Sequence, residues 1–126
     1  MAHILVVDDD QMVRDVIVSV LTREGYTVSQ AANGREAAEQ FQKLPADLVV
    51  TDILMPERDG LETIMALTGG KNSVPIIAMT GLSSTSALYL EMARTFGALR
   101  ILEKPFEMSE LVRIAGEVLS EHPRSQ

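Results

Sequence analysis

The segment ILVVDDD, residues 4–10, combines a buried strand with a polar site at its end. Four consecutive apolar, mostly β-branched residues predict a strand covered on both faces, as in the parallel sheets of α/β proteins. Three aspartates follow directly, and the ligand crevice of an open parallel sheet lies beyond the carboxyl ends of its strands. The segment therefore predicts an α/β fold and indicates the sheet edge at which a functional site would lie.

Four further apolar runs of this kind follow along the chain, separated by segments with helical spacing. The five predicted strands span residues 4–7, 26–31, 48–51, 75–80 and 99–102. The predicted helices span residues 13–21, 34–44, 59–68, 84–96 and 111–119. Five strands that alternate with five helices predict a three-layer (βα)5 domain, with a parallel five-stranded sheet and helices on both faces.

Composition and charge limit the possible functions. The chain has 126 residues, no cysteine, and a formal charge of −7 from 11 basic and 18 acidic side chains. This length predicts one domain, which we expect over residues 1–121, with a short tail at 122–126 and no effector domain. The negative charge repels nucleic-acid phosphates and anionic lipid, so we expect no direct binding to nucleic acid or membrane. The short first apolar run predicts neither signal peptide nor membrane span, which favours a cytoplasmic protein.

Side chains that can react or bind an ion follow four of the five predicted strands. They are Asp8 and Asp9 after the first, Asp52 at the third, Thr80 at the fourth and Lys104 after the fifth. Each alone has an ordinary explanation, such as a helix cap or a solvated lysine. Because parallel strands bring their carboxyl ends to one edge, we expect the set to converge on one crevice. Asp10, directly before the first helix, is interpreted as its N-cap.

The three acids of this set predict a magnesium site. Carboxylates brought close together repel one another, and a hard divalent cation relieves that repulsion. Mg²⁺ favours one or two carboxylates, several waters and phosphate oxygens, so we expect the crevice to bind Mg²⁺ and a phosphoryl group. A carboxylate can also attack phosphorus and form an aspartyl phosphate. The Lys104 ammonium and the Thr80 hydroxyl would then bind the phosphoryl oxygens.

Four motifs carry a resemblance to a known family: ILVVDDD at 4–10, DLVVTDILMPERDG at 47–60, PIIAMTG at 75–81 and GALRILEKPF at 97–106. In this order and spacing, they resemble the receiver domains of response regulators in two-component signalling, of the single-domain chemotaxis type. The resemblance covers residues 4–119. It implies a flavodoxin-like fold with the family's strand order 2-1-3-4-5.

The resemblance also implies a role for each site residue. Asp52 would accept a phosphoryl group from the phosphohistidine of a histidine kinase or histidine phosphotransfer protein, with Thr80 and Lys104 engaging that group. The Mg²⁺ ligands it implies are Asp8, Asp9, Asp52 and the backbone carbonyl of Leu54. Such a protein is a switch in a two-component or phosphorelay system rather than an enzyme, since it catalyses only its own phosphorylation and dephosphorylation.

One position departs from the family's usual pattern. Three residues before Lys104 the family usually has an aromatic side chain that moves inward on activation, and this chain has Ile101. Displacement of Thr80 toward the phosphoryl group is still expected, with an aliphatic side chain at the coupled position. The resemblance further implies that a downstream protein binds the face formed by the fourth helix, the fifth strand and the fifth helix. His3 and His122, which lie on no recognisable phosphotransfer helix, are interpreted as surface residues.

Three other protein classes are compared with this pattern. A hydrophobic strand followed by Asp8-x-Asp10 also begins the haloacid-dehalogenase phosphatases, which use an aspartyl phosphate. Their pattern resembles D-x-D-x-[TV], whereas this chain has Met12 at the last position and is too short for their further motifs. Flavodoxin-type FMN proteins and dinucleotide binders need a Gly-rich loop where the aspartates stand. The receiver interpretation is therefore favoured, with the phosphatase as the alternative.

Overall fold

The computed structural model describes residues 2–52, 74–80 and 99–121. The elements in these ranges are β1 (His3–Val7), α1 (Gln11–Arg23), β2 (Thr27–Ala31), α2 (Gly34–Lys43), β3 (Leu48–Asp52), β4 (Ile76–Thr80), β5 (Arg100–Glu103) and α3 (Met108–Glu121). All five predicted strands are confirmed, and α3 is the last of the five predicted helices. The helices predicted at 59–68 and 84–96 lie outside the described residues.

The strands form one parallel sheet in the order β2-β1-β3-β4-β5. This order is the one that the resemblance implies, and the α/β fold class is confirmed. The central strands β1, β3 and β4 are buried along their whole length because neighbouring strands flank them on both sides and helices cover their faces. Strand β2, at the edge of the sheet, exposes Thr27 and Gln30.

The core consists of two layers, one on each side of the sheet. Alternation along β1 sends Ile4 and Val6 to one layer and Leu5 and Val7 to the other. The first layer also contains the buried residues of α1 and α3, and the second contains Ala37 of α2. Helices therefore cover both faces of the sheet. In such a fold, the ligand crevice is expected beyond the carboxyl ends of the strands. In the described ranges, every helix is too short or too polar to cross a membrane.

The entry into α1 confirms the predicted cap. The Asp10 side chain accepts hydrogen bonds from the backbone N–H groups of Met12 at 3.0 Å and Val13 at 3.4 Å. These bonds satisfy donors that the first turn of a helix leaves unpaired. The Asp10 side chain therefore caps α1. Asp8 and Asp9 are the two acids of this turn that remain available to bind a ligand in the crevice.

The interpretation of His3 as a surface residue is wrong. His3 is only 7% exposed, and its ring lies between Ser29 and Pro45, with Nδ1 3.2 Å from the Pro45 carbonyl and Nε2 against the Ser29 hydroxyl. Its backbone N–H donates to Oδ2 of Asp47 at 2.8 Å. The physical reason is that β1 is a central strand, so even its first residue is enclosed by its neighbours. His122 lies outside the described residues.

Candidate functional site

The carboxyl ends of four strands bring the predicted site residues to one edge of the sheet. One carboxylate oxygen from each of Asp8, Asp9 and Asp52 lies within 4.8 Å of the other two. Nζ of Lys104 lies 3.0 Å from Oδ2 of Asp8 and 2.9 Å from Oδ2 of Asp52. The backbone N–H of Lys104 donates to the carbonyl of Thr80 at 2.6 Å, which places the end of β4 beside the lysine.

The burial of the three acids differs in a way that suits a cation. Asp8 is completely buried and Asp52 is 7% exposed, whereas Asp9 is exposed. The buried carboxylates provide oxygen atoms whose positions are fixed by the ends of β1 and β3. The exposed one leaves the cluster accessible to water. Hard oxygen donors with room for water are the ligand set that Mg²⁺ prefers, so these residues fit the ion.

Burial and hydrogen bonds have opposing effects on the charges in the crevice. Burial raises the pKa of Asp8, because its charged form loses hydration, while the Asp10 N–H and the Lys104 ammonium partly offset this effect. Burial alone would lower the pKa of Lys104. Hydrogen bonds to Asp52 and Asp8 outweigh that effect and raise the pKa above its usual value. Lys104 is therefore a firmly charged ammonium that joins the two buried acids.

Thr80 contributes a hydroxyl with an unused hydrogen-bonding capacity. It is completely buried at the end of β4, and its Oγ1 has no hydrogen-bond partner within the described ranges. A buried hydroxyl in this state costs about 1–3 kcal/mol of stability. Such a group gains a hydrogen bond when a ligand oxygen comes within reach.

Thr80→Val is therefore expected to raise the free energy of unfolding of the unphosphorylated, metal-free protein by about 1 kcal/mol, because it removes an unpaired buried hydroxyl. Urea denaturation measures the change. Thr51→Val is the matched control: Thr51 is also a buried strand threonine, but its Oγ1 donates to the Asp52 carbonyl at 3.3 Å. Equal destabilisation by both substitutions would show that the Thr80 hydroxyl does not carry the cost of an unpaired buried group.

Other positions implied by the resemblance fall in different environments. Ile101 is half-buried on β5, opposite Ala78 of β4, and packs against the core layer that includes Val7. The bond between Lys104 and Pro105 is cis. Leu54, whose carbonyl the resemblance implies as a Mg²⁺ ligand, lies outside the described residues.

One residue that contacts this site was not predicted. Arg14, near the start of α1, donates a hydrogen bond to the backbone carbonyl of Asp8. The only sequence signal is its position four residues after the cap Asp10, from which a long side chain can reach back over the turn. That spacing does not specify which backbone group the side chain contacts.

Comparisons with known proteins agree with this geometry. The profile of the family described as "Response regulator receiver domain" matches residues 4–115. The chain is 33% identical over 117 residues to "Chemotaxis protein CheY" of Thermotoga maritima, which covers 92% of this chain and 96% of that protein. It is 41% identical over 80 residues to "Response regulator RR06" of Streptococcus pneumoniae, which covers 64% of this chain and 36% of that protein.

A solved structure shows the same fold. The crystal structure of the signal receiver domain of a signal transduction histidine kinase from Syntrophus aciditrophicus matches with a TM-score of 0.88 at 28% identity, covering 100% of this chain and 96% of that one. Several curated relatives are longer proteins, and the chain spans about half of their length or less.

Proposed function

The chain belongs to the family of response regulator receiver domains, and from this premise we propose that Asp52 accepts a phosphoryl group from a phosphohistidine. The family consists of signalling proteins of two-component systems. The observation that carries the proposal is the contact between Asp52 and Lys104 inside a cluster of three carboxylates at the sheet edge. The proposed donor is a histidine kinase or a histidine phosphotransfer protein. The proposed receiver domain spans residues 1–121.

In the proposed transfer, a carboxylate oxygen of Asp52 attacks phosphorus. The new O–P bond forms as the P–N bond to the donor imidazole breaks, and the nitrogen keeps the electron pair. The Lys104 ammonium, 2.9 Å from Oδ2 of Asp52, lies where it can contact the negative oxygens of the incoming group. When bound, Mg²⁺ supplies positive charge that offsets the charge of the phosphoryl oxygens. Asp8, Asp9 and Asp52 would hold it, together with the carbonyl of Leu54.

The proposed output begins at Thr80. Its buried hydroxyl gains a hydrogen bond by moving toward a phosphoryl oxygen, and the strand register links that movement to β5, since Ala78 pairs with Ile101 and Thr80 pairs with Glu103. A shift at the end of β4 therefore changes the packing around Ile101. We propose that a downstream protein reads this change on the face that includes β5 and α3. The negative charge of the chain disfavours nucleic acid as a direct partner.

The metal part of this proposal predicts that Asp9→Asn weakens Mg²⁺ binding about tenfold or more and slows phosphorylation with it, because the substitution removes a charged ligand. Isothermal titration calorimetry with MgCl2 measures the affinity. Labelling with acetyl phosphate at a fixed Mg²⁺ concentration measures the rate.

Asp10→Asn is the matched control for Asp9→Asn. It removes the same charge one residue away, and asparagine caps a helix as well as aspartate does. We expect Asp10→Asn to retain Mg²⁺ binding within about twofold, since an exposed charge near the site contributes little through water. If both substitutions weaken binding equally, the total negative charge of the turn, and not ligation by Asp9, determines the affinity.

A further inference from the structure

Arg14, whose charged side chain lies outside the crevice, is hydrogen-bonded to the turn that carries two of the proposed metal ligands, Asp8 and Asp9. Nη1 of Arg14 donates a hydrogen bond to the backbone carbonyl of Asp8 at 2.6 Å. Nε of Arg14 donates a second hydrogen bond to Oε1 of Gln30, on the edge strand β2, at 2.9 Å. The planar guanidinium can make both bonds at once, so it connects the turn after β1 to β2 through side chains.

With this contact, every polar atom of Asp8 has a partner. Its N–H donates to the carbonyl of Ala31 at 3.1 Å, and its carbonyl accepts from Arg14. Its Oδ1 accepts from the N–H of Asp10 at 2.9 Å, and its Oδ2 accepts from the site lysine. The Asp8 carbonyl belongs to the rigid peptide plane that leads into Asp9. A hydrogen bond to that carbonyl therefore sets the direction in which the exposed ligand leaves the strand.

We propose that Arg14, anchored by Gln30, is a positioning residue that holds the peptide between Asp8 and Asp9 in the orientation that Mg²⁺ binding requires. The inference rests on the proposed function, since it concerns the metal site of that proposal. Arg14 acts through the backbone: within the described ranges, it forms no ion pair with an acidic side chain.

Positioning and simple electrostatics predict opposite results when Arg14 is removed. A cation near a cluster of acids repels Mg²⁺, so loss of its charge alone would tighten binding. Loss of a group that orients a ligand weakens binding, because the peptide then samples orientations that direct Asp9 away from the ion. The sign of the change therefore separates the two effects.

The test is isothermal titration calorimetry, in which the purified, unphosphorylated chain is titrated with MgCl2. Arg14→Ala is expected to weaken Mg²⁺ binding about tenfold. Arg14→Lys keeps the charge but replaces the two nitrogens that reach the two acceptors, Nε and Nη1, with a single ammonium nitrogen. Its affinity is therefore expected to lie between those of the wild type and the alanine variant. Arg23→Ala, which removes an exposed arginine in the last turn of the same helix, is the control and is expected to leave the affinity unchanged.

Each other result overturns a defined part of the inference. Unchanged or tighter binding by Arg14→Ala, with normal binding by the wild type, would refute positioning and leave the metal site intact. Wild-type affinity in Arg14→Lys would refute the need for a planar guanidinium, and wild-type affinity in Gln30→Ala would refute the role of the Gln30 anchor. If the Arg14 variants fold poorly, Gln30→Ala on the exposed edge strand tests the anchor directly, with a smaller weakening expected. A wild-type chain that binds no Mg²⁺ would overturn the metal proposal and this inference together.

Discussion

Asp52→Asn is expected to reduce phosphoryl labelling of the chain to background, a loss of more than about a hundredfold, or roughly 3 kcal/mol or more in the activation barrier. A neutral amide retains the size of the carboxylate but lacks a nucleophilic oxygen. The chain is incubated with acetyl phosphate and Mg²⁺ or with a phosphorylated kinase. Intact-mass spectrometry then counts the phosphoryl groups that each protein carries.

The control for this substitution is Asp15→Asn, which removes an equal charge from an exposed position on α1. We expect it to be labelled at the wild-type rate. Asp52 is the last residue of the buried strand β3, lies 2.9 Å from the Lys104 ammonium and has two neighbouring acids, whereas Asp8, which shares that lysine, is completely buried. Labelling of the Asp52→Asn protein equal to that of the wild type would mean that the phosphoryl group is attached elsewhere.

Lys104→Met is expected to lower the free energy of unfolding of the metal-free protein by about 3 kcal/mol. Without the ammonium, the completely buried carboxylate of Asp8 loses the cation 3.0 Å away, and it also faces the nearby carboxylate of Asp52. Urea denaturation measures the loss. Millimolar MgCl2 is expected to restore part of it, because a bound cation compensates the same carboxylates.

Lys43→Met provides the comparison, since Lys43 is an exposed lysine at the end of α2. An exposed position predicts a change within about 0.5 kcal/mol. A loss below about 1 kcal/mol for Lys104→Met would indicate that protonation of Asp8, rather than the ammonium, keeps the crevice stable.

The sequence predicted the strands well because apolar β-branched runs report burial on both faces of a sheet. It predicted the convergence of Asp8, Asp52 and Lys104 because parallel strands must present their carboxyl ends at one edge. The strand order came from the family resemblance, since hydrophobic pattern alone does not say which strands are neighbours.

Contacts within the site were harder to predict. Nothing in the spacing shows that Lys104 joins Asp8 and Asp52, which are 96 and 52 residues away from it. Such contacts depend on side-chain directions that only the folded turn defines. The exposure predicted for His3 is wrong for a related reason: a polar residue near a terminus suggests exposure, but β1 is an interior strand with a neighbouring strand on each side.

The most direct test of Asp52 as the acceptor is to locate the phosphoryl group in the wild-type chain. Borohydride reduces an aspartyl phosphate to homoserine, a stable change that peptide sequencing by tandem mass spectrometry assigns to a single residue. After labelling with acetyl phosphate and Mg²⁺, we expect homoserine at position 52 and unmodified aspartate at positions 8 and 9. Homoserine at position 8 or 9, or at an aspartate outside the crevice, would show that Asp52 is not the acceptor.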